Sequence, residues 1–286
     1  MRTLCLFAAA IAAVAGNAPA QKLAVVDTEV HQYEGGPRIS PDVYFVPNDT
    51  VYVTFRVEGF STKEKGNDSD DRYLRLHYQV EAFDPAGLPL KEKQEGDIAA
   101  DLTPEDRKDK WLPLVQYDVT VPPAAPSGTY RVSVNVLDQL NQATVSHDIE
   151  YPVRGRRVEP SDTIVVRNLQ FMRSELDTEP LAVPAYHPGE TMWSRFFITG
   201  YRLAKGNKFH INYGIKILRP SGAVVYTQEV AATDERESFY PERYIMGGLS
   251  LNLTPDLPKG DYTLVVTVRD LLANQTSEFS QVFHVE

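Results

Sequence analysis

Apolar and polar residues alternate along this chain, and the alternation comes in two matching sets. Tyr130, Val132, Val134 and Val136 alternate with Arg131, Ser133, Asn135 and Leu137. Tyr262, Leu264, Val266 and Val268 alternate with Thr263, Val265, Thr267 and Arg269. Period two, rich in β-branched residues, predicts half-buried strands. Each strand opens on a Pro-x-Gly turn, Pro126 to Gly128 or Pro258 to Gly260. Each is followed by a polar turn after Asp138 or Asp270, then by a closing strand through Ile149 and Val153, or Val282 and Val285. The two stretches match without a gap at a separation of 132 residues.

The matching extends upstream. VPNDT (46–50) leads into a strand with Val51, Val53, Phe55 and Val57 on one face, and HPGET (187–191) leads into MWSRFFITGY. Here Pro47, Phe55 and Gly59 match Pro188, Phe196 and Gly200 at an offset of 141. YQVEAFDPAG (78–87) matches YGIKILRPSG (213–222) at an offset of 135, each ending in a tight turn. An internal repeat of this kind decides the architecture. The expected fold is all-β: two tandem antiparallel immunoglobulin-like β-sandwiches of about seven strands each. The expected boundaries are a signal peptide over 1–20, sandwiches over 21–153 and 163–286, and a short linker over 154–162. Tyr130 and Tyr262, just inside their strands, are expected to be buried corner residues.

The falling offset locates extra residues in the first copy. One insertion, STKEKGNDSDD (61–71), carries Asn67, Asp68, Ser69, Asp70 and Asp71. Its acids lack the spacing of a calcium loop, so a mobile, metal-free hairpin tip is expected. The other variable stretch is DLTPEDRKDKWLPL (101–114), where Thr103 and Pro104 form a helix start. Its counterpart TDERESFYPERYIM (233–246) is expected to make a similar crossing with a short helical turn. That counterpart holds the candidate partner-binding residues: Arg236, Phe239, Tyr240, Arg243 and Tyr244. Rings and arginines in a loop have the composition of interface hot spots; the alternative is that the rings cover the sandwich edge. In the linker, Arg154, Arg156 and Arg157 could grip a carboxylate or sulfate, or bridge the two sandwiches.

Residues 1–20 have the layout of a secretory signal: Arg2, an apolar run from Leu4 to Val14, then Ala18-Pro19-Ala20. The apolar run is too short for a membrane span. The only cysteine, Cys5, falls within the signal, so the mature chain is expected to lack disulfides, thiolate metal sites and a thiol nucleophile. A periplasmic or secreted location follows, with no membrane insertion after cleavage. The net charge of −10 makes nucleic acid and anionic lipid poor partners. The chain has no nucleophile elbow, zinc motif, phosphate loop or dinucleotide glycine motif, and its six histidines are scattered. The expectation is no enzyme, no catalytic residue, no metal and no cofactor.

The order of signals in each copy resembles macroglobulin-type sandwiches of the alpha-2-macroglobulin kind. Those signals are VPNDT and HPGET, FDPAG and LRPSG, PSGTY and PKGDY, then IEYPV and VFHV. The resemblance implies a fold and no catalytic residue. The Cys-Gly-Glu-Gln thioester of that family is absent. Two function classes remain. One is an exported, non-catalytic binding or assembly module acting on an extracytoplasmic protein through strand edges or loops. The other is a carbohydrate-binding accessory protein of the cell envelope using Trp111, Trp193 or the 239–244 rings.

Overall fold

The computed structural model describes residues 22–40, 42–66 and 70–286. The expected signal peptide lies outside the described residues. The first half contains β1 (Ala24–His31), β2 (Thr50–Glu58), β3 (Lys63–Glu64), β4 (Arg72–Phe83) and β5 (Gln94–Leu102). A short helix α1 (Pro104–Lys108), β6 (Leu114–Thr120), β7 (Gly128–Asp138) and β8 (Thr144–Val153) complete it. The second half contains β9 (Val165–Met172), β10 (Ala185–Tyr186), β11 (Thr191–Thr199), β12 (Phe209–Leu218), β13 (Val224–Arg236), β14 (Tyr244–Asn252), β15 (Gly260–Asp270) and β16 (Gln275–Val285).

The protein is all-β, as the periodicity requires. Each half packs a three-stranded sheet on a five-stranded one. The narrow sheets run β1-β2-β6 and β14-β11-β9. The wide sheets place β5, β4, β7 and β8 side by side in one half, and β13, β12, β15 and β16 in the other. The tiny strand β3 adds to β4, and β10 adds parallel to β16. Two separate hydrophobic cores result, one for each half.

The repeat holds at the level of register. Gly128 pairs with Val153 across β7 and β8, and Gly260 pairs with Val285 across β15 and β16. Tyr130 Oη donates to the Pro126 carbonyl at 2.9 Å, and Tyr262 Oη donates to the Pro258 carbonyl at 2.7 Å. Both rings are buried, so both corner assignments stand. Phe45 meets Val153 in a parallel bridge, and Tyr186 does the same with Val285. Gly59 and Gly200 both take positive φ where a Cβ would strike the backbone of Lys22 or Thr163, which explains why both copies keep glycine there.

Two buried carboxylates repeat as well. Asp138 accepts from the backbone N–H of Ser61 (2.6 Å) and Leu140 (2.9 Å). Asp270 accepts from Arg202 (2.7 Å), Leu272 (2.9 Å) and Ala273 (3.0 Å). Each ties the turn after the corner strand to the loop leaving the central strand of the opposite sheet. A buried carboxylate is tolerable only when such donors replace water. Asp270→Ala removes the charged acceptor of three part-buried donors and is expected to destabilise the second sandwich by about 1.5–3 kcal/mol. Urea unfolding checks this: a midpoint equal to that of the native chain would remove the role assigned to the carboxylate.

The two variable stretches differ from each other more than the sequence suggests. In the first half Thr103 caps α1 with a full capping box to Asp106, as its sequence predicts. In the second half the expected helical turn does not form. β13 continues to Arg236, and 237–243 stay irregular, with the Asn207 amide donating to the Ser238 and Phe239 carbonyls. Pro241 and the anchoring of Tyr240 described below keep this segment out of a helix.

The insertion at 61–71 is also more tethered than expected. Lys63 and Glu64 pair with Tyr73 and Arg72, and Lys65 forms an ion pair with Asp101. The Asp70 carbonyl accepts from Arg107 at 2.7 Å. Asn67, Asp68 and Ser69 lie outside the described residues.

Candidate functional site

The five residues singled out by composition do not form one exposed patch. Tyr240 leaves the second sandwich and enters the first. It is 8% exposed, packs with the first hydrophobic core, and donates its hydroxyl to Asp84 at 2.8 Å. Burial, with the Asp84 carboxylate beside it, drives its phenol pKa far up. Asp84 is itself buried and also accepts from the N–H groups of Ala86 and Leu88, at 2.8 Å each. As a partner-binding residue Tyr240 is therefore corrected: its ring and hydroxyl are consumed in joining the two halves. The repeat marks Asp84 as special, because the matching position in the second half is Arg219.

The other four line the surroundings of that joint. Tyr244 is half-buried, standing edge-on to Phe197 with centroids 5.6 Å apart and an interplanar angle of 87°. Its hydroxyl oxygen is buried and has no hydrogen-bond partner among the described residues, and burial raises its pKa. Arg236 is held by Asp234 (2.6 Å) and more loosely by Glu242 (3.7 Å). The Asp234 hydrogen bond is the main cause of its raised pKa. Arg243 is exposed, and Phe239 is 51% exposed at the tip.

The linker arginines come to the same place. Gly155 passes so close to the first sandwich that a Cβ would overlap the Ala125 carbonyl oxygen, and Ser127 Oγ donates to the Gly155 carbonyl at 2.9 Å. This pins the flanking side chains. Arg154 lies 3.6 Å over the Tyr44 ring and donates to its hydroxyl at 2.8 Å. Arg156 lies 5.5 Å from the Phe197 ring centroid. Arg156 borders three adjoining hollows. One includes Arg154 and Arg236, a second Arg157 and Arg243, and the third opens along the outer face of β11. Among the described residues, Arg154, Arg156, Arg157 and Arg243 have no carboxylate partner.

That third hollow, about 620 Å³, has Trp193 and Arg195 on its wall, with Met246 at one end. Alternation along β11 points Trp193, Arg195 and Phe197 away from the core that receives Met192, Phe196 and Ile198. Arg195 is braced by the carbonyls of Asp177 and Glu175. Trp111 lies elsewhere, 40% exposed at the far crossing of the first half.

A second surface was not singled out by sequence. β13 is an edge strand of thirteen residues, paired among the described residues with β12 alone. Its wide sheet overhangs a sheet of three strands, so Val224 through Val230 are exposed one after another. Val224 is 57% exposed and Val230 51%. Only Glu229 is charged in that run, and Arg269 neutralises it at 3.2 Å. Register aligns Gln228 with Gln94 of β5, because each pairs with the matching residue of β12 or β4. By that alignment Lys91, Glu92 and Lys93, which lie just ahead of β5 rather than in it, match Val225, Tyr226 and Thr227, and β5 itself exposes Glu95, Asp97 and Asp101 along its length. The ladder with β12 shifts near Gly214 and again near Val224.

Among the described residues no helix is long and apolar enough to cross a membrane, and no cluster of three or more His, Cys, Asp or Glu could hold a metal ion. No protein-family model matches the chain, and no curated protein does. Many solved structures are similar to the chain, among them two of low identity. The C-terminal domain of Wzt is 14% identical, with 45% of this chain and 76% of that chain covered and a TM-score of 0.32. The C-terminal domain of the AgI/II polypeptide BspA from Streptococcus agalactiae is 11% identical, with 90% and 99% covered and a TM-score of 0.27. Likeness at that level carries no statement about ligand or partner.

Proposed function

We propose that this protein is a non-catalytic binding or assembly module that acts outside the cytoplasm and engages a protein partner along the β13 edge. The carrying observation is the run Val224–Val230: a free strand edge with exposed apolar side chains and no net charge, where the edge strand β5 of the repeated sandwich exposes Glu95, Asp97 and Asp101 and is preceded by Lys91, Glu92 and Lys93. Exposed edges invite strand addition, and proteins ordinarily blunt them with charge. The first half does so; the second does not. A partner strand laid on β13 would gain main-chain hydrogen bonds, while Val225, Tyr226 and Val230 offer apolar contact. The Tyr240–Asp84 joint supports this reading by holding the two sandwiches in one arrangement. The turn order that resembles macroglobulin-type domains fits a domain used for contact rather than catalysis. Extracytoplasmic action rests on the signal-like pattern of residues 1–20.

The test transfers the charged edge of one copy to the other. Val225→Lys/Tyr226→Glu places in β13 the residue types found at the aligned positions ahead of β5, and both side chains point into solvent. The variant is expected to keep its melting temperature and to lose the protein that the native chain captures from an envelope extract. Retained capture by the folded variant would place the partner surface elsewhere.

A further inference from the structure

The hollows joined at Arg156 combine two recognition chemistries that the β13 edge lacks. The first is an excess of positive charge: Arg154, Arg156, Arg157, Arg236 and Arg243 line the first two hollows against Glu242, which Arg236 meets, and Asp84, which Tyr240 and backbone amides occupy. Arg154, Arg156, Arg157 and Arg243 gather around the joint without a carboxylate partner among the described residues, in a chain whose net charge is −10. Planar guanidinium forks match carboxylate and sulfate groups in geometry as well as charge. Two of these forks are pre-placed on rings, Arg154 on Tyr44 and Arg156 on Phe197, so little side-chain freedom is lost when an anion arrives.

The second is a ring set into an open trough. Trp193 is half-exposed on the outer face of β11, and Gly248 of β14 faces Arg195 across the register, so no side chain rises there. Arg195 stands one place along the same face, held by backbone carbonyls rather than by an acid. A flat ring beside forked cations suits a pyranose ring bearing an acidic group. The apolar face of the sugar covers the indole, and its carboxylate or sulfate meets a guanidinium.

β11 is the central strand of its sheet, with β14 and β9 on either side. Its backbone is committed to both neighbours, so an extended peptide lying over it would find no main-chain ladder. That favours a glycan over an acidic peptide. We infer that the trough running from the linker arginines to Trp193 binds an acidic polysaccharide, with Trp193 as the stacking platform and Arg156 as the central anion fork.

The experiment titrates the native chain with polygalacturonate, neutral dextran and polyglutamate at low and high salt, reading tryptophan fluorescence and isothermal heat. Polygalacturonate is expected to bind, with affinity falling as salt rises, while dextran gives no signal and polyglutamate binds at least about tenfold more weakly. Arg156→Gln and Trp193→Ala are each expected to weaken polygalacturonate about tenfold or more with the melting temperature retained, whereas Val225→Lys/Tyr226→Glu leaves it unchanged. If Trp193→Ala does not fold, Arg156→Gln alone carries the test. Equal binding of polyglutamate and polygalacturonate would reduce the site to bare charge and overturn the glycan assignment. Absence of binding at low salt, or binding unmoved by Arg156→Gln, would overturn it as well.

Discussion

Truncating Tyr262 to alanine is expected to cost the second sandwich about 3–5 kcal/mol, the range for removing a large buried ring. The ring is almost fully buried, stacks on Phe283 with centroids 5.8 Å apart, and anchors its hydroxyl on the Pro258 carbonyl. Its loss opens a cavity in the core between the wide and narrow sheets, and it frees the turn that sets the β15 register. A fall of roughly 10–20 °C in the melting of that half is the expected reading by calorimetry. Tyr262→Phe keeps the ring and removes only the hydrogen bond, so about 1 kcal/mol is expected there. Equal stability of the alanine variant and the native chain would remove the corner reading.

Tyr240→Ala is expected to be as damaging, and in the wrong half. The residue belongs to the second sandwich by sequence, yet its ring completes the core of the first. Truncation removes that packing, at about 3–5 kcal/mol, and leaves the buried Asp84 carboxylate short of a donor, at about 1–3 kcal/mol more. The affected transition should be that of residues 22–153, with the two halves melting separately. Tyr240→Phe isolates the hydrogen bond and should cost about 1–3 kcal/mol. If Tyr240→Ala leaves the first half at its native melting point, the joint does not couple the sandwiches.

Much of the fold is legible in the sequence because the strands carry their own evidence. Period-two alternation, β-branched residues and Pro-x-Gly turns are local signals, and the repeat doubles each of them. The corner tyrosines and Asp138 with Asp270 follow from the same matching. The fate of Tyr240 is not legible, since Asp84 lies 156 residues away and no local pattern joins them. A signal did exist: Asp84 faces Arg219 in the repeat, and a buried carboxylate unique to one copy asks for a donor from outside it. The β13 edge was missed for a different reason. VVYTQEV reads as an ordinary half-buried strand, and its exposure follows from a five-stranded sheet overhanging a three-stranded one, which depends on pairing rather than on residue type. The helical turn expected within 233–246 does not form because this stretch lacks the Thr-Pro start that caps α1 in the first half.

Hydrogen exchange of the chain alone and in complex with its captured partner tests the central claim most directly. Outward-pointing amides of Val224–Val230 should exchange fast in the free protein, since no second strand covers them, and should become protected on binding while 128–153 stays unchanged. Slow exchange of 224–230 in the free chain, or protection on binding that spares β13, would contradict the account.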